Sequence, residues 1–387
     1  MKKKIAILGS TGSIGKYLLK IVAKEKQNFQ IQLLTANKNY KELLKQTQKF
    51  NVKNVIITDP VSNKNFRKEN KNKVIKIFDD FDCFSKIFKN KIDYTMSSIV
   101  GLAGLYPTLN IIEYTNTIAI ANKESIICGW NLINKKLLKY KTKFIPVDSE
   151  HFSIWYALKE NKNLIDKIFL TASGGPFLNL HIKNFKKIKI NDALKHPNWK
   201  MGKKISIDSA TMMNKVFEVI EAKKVFNISY KKLSIFINPN SYLHAIVEFK
   251  NGIIELIAHN TNMMIPIYNS LFDTKKKLNF SNKQIQITKL NKLDLRKVNF
   301  IKFPSVKILK KMPNKNSLFE TILVTANDEL VNQFLNKKIK FNQIISKLTK
   351  ILDNKKFSKY KHISPQNIKE ILKLNHYVRL KIRSNDI

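Results

Sequence analysis

The sequence predicts an α/β protein in three parts: a Rossmann-like N-terminal domain, a central α+β domain and a C-terminal helical domain. Three observations predict it. Short apolar strands alternate with amphipathic helices at the start, and the first strand runs into the glycine-rich turn GSTGSIG. The middle mixes helices with strands, one pair joined by an Asn-Gly hairpin turn. From about residue 299 only helix-period segments remain. With 387 residues the chain is long enough for two or three domains with real cores, and at 43% hydrophobic it is a folded protein.

Residues 4–8, KIAIL, form the first strand; GSTGSIG follows at Gly9–Gly15, then the helix KYLLKIVAKE. Strand, glycine turn and helix in that order point to a dinucleotide, because the glycines let backbone N–H groups approach a pyrophosphate at the helix N-terminus. The second strand, FQIQLLTA, ends at Ala36. An NAD-binding unit usually places an acid there to bond the ribose 2′-hydroxyl. Here Asn37, Lys38 and Asn39 stand instead, a cation and two amides that suit the 2′-phosphate of NADPH. Lys38 is also one of many lysines, so the alternative stays open. Further βα units follow at 54–58 (NVIIT), 73–78 (KVIKIF) and 93–109, where Ser97–Gly104 is a second small-residue turn. Ile118–Ala121 reads as a strand ending in Asn122-Lys123-Glu124. Ligands of open α/β sheets collect beyond strand carboxyl ends, so Lys123 and Glu124 are expected at the cofactor crevice.

KFIPVDSEH (143–151) is read as extended, which points Asp148 and Glu150 the same way. Two converging carboxylates suit a divalent cation, and Glu218 is a candidate third ligand. A helix N-cap is the competing reading, and both can hold together. IFLTASGGPF (168–177) exposes N–H groups and the Ser173 hydroxyl to an anion, unless it is an ordinary glycine turn. Residues 178–203 read as a long polar loop, a length at which a lid is one frequent use. The densest stretch is HPNWKMGKKISIDSATMMNKVFE, His196–Glu218. On a helix Asn214 and Glu218 share a face, with Lys215 beside them. Ser209 and Thr211 are expected where that helix begins, making a phosphate cradle. A capped amphipathic surface helix competes with this. Set beside Asp148 and Glu150, the stretch divides into a lid, His196–Gly202, and a fixed anchor, Ser209–Glu218. Expected boundaries are 1–150 for the dinucleotide domain, 151–271 for the catalytic domain with a flexible lid at about 178–203, 272–298 for a connecting arm and 299–387 for the helical domain.

The formal net charge is +43. That raises a nucleic-acid reading. However, the lysines are dispersed rather than set in one stripe, and Lys, Asn and Ile dominate as AT-rich codons would dictate. Specific nucleic-acid binding is therefore not expected, while a positive field favours an anionic substrate. Two cysteines without C-x-x-C spacing fit a reducing cytoplasm. No apolar run approaches the ~20 residues of a membrane span, and MKKKIAILGS reads as a strand rather than a leader. The seven histidines show no zinc spacing, and only His196 stands out, by its company.

With GSTGSIG, ANKES, PVDSEH, SGGPF and HPNWKMGKKISIDSATMMNK in this order, the chain resembles the 1-deoxy-D-xylulose 5-phosphate reductoisomerase family over nearly its whole length. The resemblance implies a cytoplasmic homodimeric oxidoreductase of the non-mevalonate isoprenoid pathway. It would use NADPH and a divalent cation (Mg, Mn or Co) to turn a small phosphorylated sugar, 1-deoxy-D-xylulose 5-phosphate, into 2-C-methyl-D-erythritol 4-phosphate. It implies Thr11, Gly12, Ser13 and Ile14 at the NADPH diphosphate, Asn37, Lys38 and Asn39 at its 2′-phosphate, and Asn122, Glu124 and Gly202 also at the cofactor. Asp148, Glu150 and Glu218 match the metal ligands, the two glutamates also reaching the substrate. Lys123, Ser149, Ser173, His196, Ser209, Asn214 and Lys215 match substrate contacts, and Trp199 closes over the substrate. Lys123 and Glu150 carry the catalytic roles. The chain departs from the family pattern at Val216, where glycine is usual, at Asn37, and in AHNTNMMIPI (258–267).

Overall fold

The protein is described by a computed structural model covering residues 2–159, 165–199, 201–272, 290–291 and 293–384. In chain order the elements are β1 (Lys3–Leu8), α1 (Ser13–Lys24), β2 (Phe29–Ala36), α2 (Tyr40–Phe50), β3 (Asn54–Ile57), α3 (Pro60–Glu69), β4 (Lys76–Phe78), α4 (Phe84–Ile87), β5 (Ile92–Ser97), α5 (Leu105–Ile111), β6 (Thr115–Ile120), α6 (Lys123–Lys139), β7 (Lys143–Pro146) and α7 (Ser149–Ala157). Then come β8 (Ile165–Ala172), α8 (Ile190–Ala193), α9 (Lys203–Ala210), α10 (Met213–Val225), β9 (Leu233–Ile237), β10 (Leu243–Phe249), β11 (Ile254–Ala258), α11 (Met264–Leu271), β12 (Arg296–Lys297), α12 (Phe319–Leu335), α13 (Phe341–Asp353), α14 (Lys355–Ser358) and α15 (Ile368–Arg383). Among the described residues no helix is long and apolar enough to cross a membrane.

The chain divides into two compact units. The first is built on a seven-stranded parallel sheet in the order β4-β3-β2-β1-β5-β6-β7. Ile5, Ala6, Ile7 and Leu8 are all fully buried, as a central parallel strand covered on both faces requires. The strand order reverses between β1 and β5, so the turns after these two strands lie side by side at the switch point. A late segment completes this core: Ile267, Tyr268 and Leu271 of α11 pack into the same cluster as Leu18, Ile21 and Val22 of α1. Lys3 Nζ donates to Leu271 O at 2.7 Å, and the Tyr94 and Ser270 hydroxyls lie 2.7 Å apart.

The second unit holds a five-stranded mixed sheet, β11-β10-β8-β9-β12, in which β8 and β9 are parallel and the other pairs antiparallel. The expected hairpin forms at Asn251-Gly252, with Gly252 at φ 85. Against this sheet α10 buries Val219 and Ala222 beside Leu170, Ala245 and Val247. The C-terminal helices belong to the same unit: α12 packs on α13 and α15, and Arg379 and Arg383 bond Glu329 at 2.9–3.3 Å.

Several local expectations change. β4 is shorter than 73–78, because only Lys76–Phe78 pairs with β3. The stretch 178–203 is not bare loop: its described residues include a 3₁₀ turn at Ile182–Lys187 and α8. The extended reading of 143–151 ends early, since β7 stops at Pro146 and α7 begins at Ser149. Most of the arm expected at 272–298 lies outside the described residues; its described end forms β12.

Candidate active site

In the first unit, the turn after β1 is shaped by two glycines. Gly9 adopts φ 84, and a Cβ there would sit 3.1 Å from the backbone of Ser98 and Ile99, so the turns after β1 and β5 touch. A Cβ on Gly15 would lie 2.6 Å from Gly9 O, which locks the first turn of α1 onto the loop. Gly12 caps α1 with extended backbone and has no such crowding; its nearest neighbour is Gly9 O at 3.4 Å. Ser13 and Ile14 thus present first-turn N–H groups of α1, the donors a diphosphate needs, with Thr11 just before them and the Gly12 N–H given to Gly9 O at 3.2 Å. This cradle fits a dinucleotide because bare glycine backbone lines it.

Asn37, Lys38 and Asn39 are all exposed at the carboxyl end of β2. Asn39 caps α2 by accepting the Glu42 N–H at 3.3 Å, and Asn37 Nδ2 donates to Thr58 Oγ1 at 2.9 Å. Lys38 projects a cation whose field helps hold the Asp59 carboxyl below its ordinary range, after the hydrogen bonds from Ser62. Asn122 is buried and its side chain is committed: Oδ1 accepts the Ser125 N–H at 2.8 Å, and Nδ2 donates to Ile99 O and to Gly101 O at 2.7 Å. It therefore fixes the second glycine turn rather than offering its amide outward. Glu124 is buried in the first turn of α6.

Lys123 begins α6, and its Nζ lies 2.9 Å from Asp148 Oδ2. His151, fully buried, places Nδ1 3.3 Å from Asp148 Oδ1. Burial alone would raise the Asp148 carboxyl; the Lys123 ammonium and His151 outweigh it and hold that carboxyl well below the usual range. Glu150 lies in the first turn of α7, not on a strand. Its N–H approaches Asp148 Oδ1 at 3.4 Å, and Ser149 Oγ donates to Glu150 Oε2 at 2.6 Å. Asp148 thus caps a helix and keeps an ionised carboxylate, as the paired readings allow. Hard carboxylate oxygens are the donor type Mg and Mn prefer, so the set fits the cation.

In the second unit α10 carries the third carboxylate. Asn214 Nδ2 and Lys215 Nζ both bond Glu218, one to each oxygen, and Glu218 is 1% exposed. The i, i+3 and i, i+4 spacing on one helix face does this directly. Val216 packs into the core in ordinary helical backbone. Ser209 and Thr211 do not begin a helix: they close α9, and α10 starts after Met212, a left-handed residue at φ 62. The expected N-terminal cradle is therefore a junction between two helices. The SGGP turn meets it, because a Cβ on Gly175 (φ 67) would lie 2.8 Å from Ser209 O. Ser173 Oγ in that turn is 3.1 Å from His196 Nε2. Trp199 stacks edge-on to His244 at 6.2 Å between ring centroids, and Gly202 caps α9.

Sequence reasoning missed three supporting residues. His151 was passed over as a lone histidine although it buttresses Asp148. Asn198 tethers the stretch beside His196, with Nδ2 2.7 Å from Pro239 O and 2.8 Å from Ser241 Oγ. Asp208, buried at the end of α9, accepts from Asn327 of α12 at 2.7 Å and pairs with Lys204 at 3.1 Å. Only the i, i+4 spacing of Lys204 and Asp208 left a trace in the sequence.

Comparisons with known proteins meet this geometry. The family model described as 1-deoxy-D-xylulose 5-phosphate reductoisomerase matches residues 5–129, and those for the C-terminal domain of that enzyme match 144–226 and 259–381. A Pelagibacter ubique protein named 1-deoxy-D-xylulose 5-phosphate reductoisomerase is 61% identical over 389 aligned positions, covering 100% of both chains. One of that name from Wolbachia pipientis wMel is 36% identical, covering 98% of this chain and 96% of its own. Among solved structures, the Zymomonas mobilis enzyme in complex with NADPH superposes with a TM-score of 0.87 at 30% identity, over 98% of each chain. A DOX-P reductoisomerase in complex with NADPH, fosmidomycin and magnesium reaches 0.90 at 29%, over 99% of this chain and 98% of that one.

Proposed function

This chain belongs to the 1-deoxy-D-xylulose 5-phosphate reductoisomerase family, and we infer that it performs the family reaction with the residues assembled in its two units. It is an NADPH- and divalent-metal-dependent oxidoreductase that rearranges and reduces 1-deoxy-D-xylulose 5-phosphate to 2-C-methyl-D-erythritol 4-phosphate in non-mevalonate isoprenoid biosynthesis. The observation that carries the site assignment is the pairing of two of the three candidate ligands with a lysine: Lys123 on Asp148 and Lys215 on Glu218. A lysine that neutralises such a carboxylate is available to a substrate anion once a cation takes over that carboxylate.

In this proposal Asp148, Glu150 and Glu218 hold the cation. When bound, the cation supplies Lewis-acid polarisation of the substrate's ketone and adjacent hydroxyl, and NADPH supplies the hydride. Glu150 takes the hydroxyl proton on a carboxylate oxygen and returns it after rearrangement, with Ser149 orienting that carboxylate. Lys123 Nζ stabilises the oxyanion that develops. Ser173, His196, Ser209, Asn214 and Lys215 grip the phosphate, a non-reacting group whose binding energy orients the reacting end. Thr11–Ile14 receive the NADPH diphosphate, Asn37–Asn39 the 2′-phosphate, and Asn122, Glu124 and Gly202 border the cofactor. The stretch 178–203 is a lid that brings Trp199 over the substrate and excludes water. The same reading makes the protein a cytoplasmic homodimer, and two free buried cysteines are in keeping with a reducing compartment. By function the chain divides into 1–150, 151–271, the arm 272–298 and 299–387, although α11 of the second stretch packs in the core of the first unit.

The assay is direct. Purified enzyme with NADPH, Mn²⁺ and 1-deoxy-D-xylulose 5-phosphate should consume the reduced-nicotinamide absorbance and yield the branched tetrol phosphate. A reduced but unbranched product would overturn the rearrangement. Trp199→Ala should raise KM or lower kcat by about tenfold or more; unchanged constants would remove the lid role.

A further inference from the structure

The His196 ring is held at both nitrogens. Nδ1 accepts two backbone N–H groups, from Asn198 at 3.1 Å and Trp199 at 3.0 Å. A ring nitrogen that accepts hydrogen bonds carries no proton, so the proton of the neutral ring is on Nε2. From there it is donated to Ser173 Oγ, 3.1 Å away. Ser173 Oγ also accepts the Gly175 N–H at 3.1 Å. With both lone pairs engaged, the serine has only its own O–H left to give. Burial pushes the His196 pKa down to about 4, so the neutral ring persists at neutral pH.

This polarity depends on where the Asn198 and Trp199 N–H groups point. The Asn198 side chain is anchored on the neighbouring turn. Its Nδ2 spans Pro239 O at 2.7 Å and Ser241 Oγ at 2.8 Å, in the turn after β9. Ser241 is itself fixed, at φ 53 with its N–H on Asn238 O at 3.1 Å.

We propose that Asn198 is a positioning residue of the phosphate grip: it locks His196 in the Nε2–H tautomer and thereby makes the Ser173 hydroxyl an obligate donor, matched to an acceptor-only phosphate oxygen. A protonated phosphate oxygen or a neutral hydroxyl in that place accepts the same bond more weakly, because it carries no charge. The proposal rests on the assignment of Ser173 and His196 to the substrate phosphate.

The test uses the full-length ¹⁵N-labelled protein and long-range proton–nitrogen correlation of the histidine rings at neutral pH. The expected spectrum shows His196 neutral, with Nδ1 bare and Nε2 protonated. Asn198→Ala should mix the tautomers and raise KM for 1-deoxy-D-xylulose 5-phosphate by about tenfold, with kcat and the KM for NADPH within about twofold. Ser241→Ala is the softer variant, removing one of the two tethers, and should give a smaller shift of the same kind. An Nδ1–H or charged ring in the wild type, or an unchanged ring and KM in both variants, overturns the proposal. Titration with inorganic phosphate separates the two claims. If phosphate perturbs the locked His196 signals but the sugar phosphate is not turned over, the functional reading fails and the donor grip stands. If phosphate leaves those signals unmoved, the grip fails whatever the turnover.

Discussion

Between Gly9 and Gly15 the first unit offers an anion bare backbone: first-turn N–H groups of a helix, uncovered because glycine carries no side chain. At Ser173, Ser209, Asn214 and Lys215 the second unit offers side chains, with a buried lysine and a buried carboxylate already neutralising each other. In the proposed reading the two cradles serve different needs. A backbone cradle has fixed geometry and holds the cofactor's diphosphate in one pose without bringing a charge. A side-chain cradle has adjustable charge, which suits a pocket that must balance a phosphate, a cation and a developing oxyanion in turn. Their vulnerabilities differ accordingly. The first fails when an atom is added to the backbone, the second when a charge is removed.

Four substitutions break or sharpen that contrast. Glu218→Gln removes charge from the second cradle and should cost about a hundredfold or more in metal-dependent turnover while NADPH binding stays near wild type; fluorescence titration of NADPH alongside rate measurements checks both halves. Gly15→Val adds atoms to the first cradle, where a Cβ would already lie 2.6 Å from Gly9 O. It should lower the melting temperature, at about 1–3 kcal/mol, and weaken NADPH strongly. Gly175→Ala is the mixed case, a backbone change in the side-chain cradle. With φ at 67 and Ser209 O at 2.8 Å from the new Cβ, it should push the SGGP turn off the anchor and raise substrate KM about tenfold, leaving NADPH affinity alone. Lys38→Ala is the smallest: NADPH should weaken several-fold and NADH hardly at all. Equal losses for both cofactors would show that no 2′-phosphate contact exists there.

What the sequence revealed follows the same division. The strand–glycine–helix start was legible because glycine spacing encodes a backbone shape locally. The Asn214–Lys215–Glu218 face was legible because helix periodicity alone places it. For Asp148 and Glu150 the extended reading of 143–151 runs too far, while the N-cap alternative holds: Ser149 opens a helix and the Asp148 carboxylate caps it. The start of the anchor was misjudged because two helices abut at Met212, and a left-handed methionine leaves none of the Gly, Asn or Pro signals that mark a break. The roles of His151 and Asn198 depend on hydrogen bonds that form only after folding, one of them to a turn some forty residues downstream.

The late return of α11 to the first core has a consequence for synthesis. Ile267, Tyr268 and Leu271 cover the face that α1 and its neighbours bury, so the first unit is discontinuous in sequence. A ribosome that has released only the first 150 residues has made every parallel strand of that sheet, yet the apolar groove against α1 stays open to water and to other nascent chains. The unit that comes first in sequence therefore finishes its core only after β8 to β11 of the second sheet have been translated.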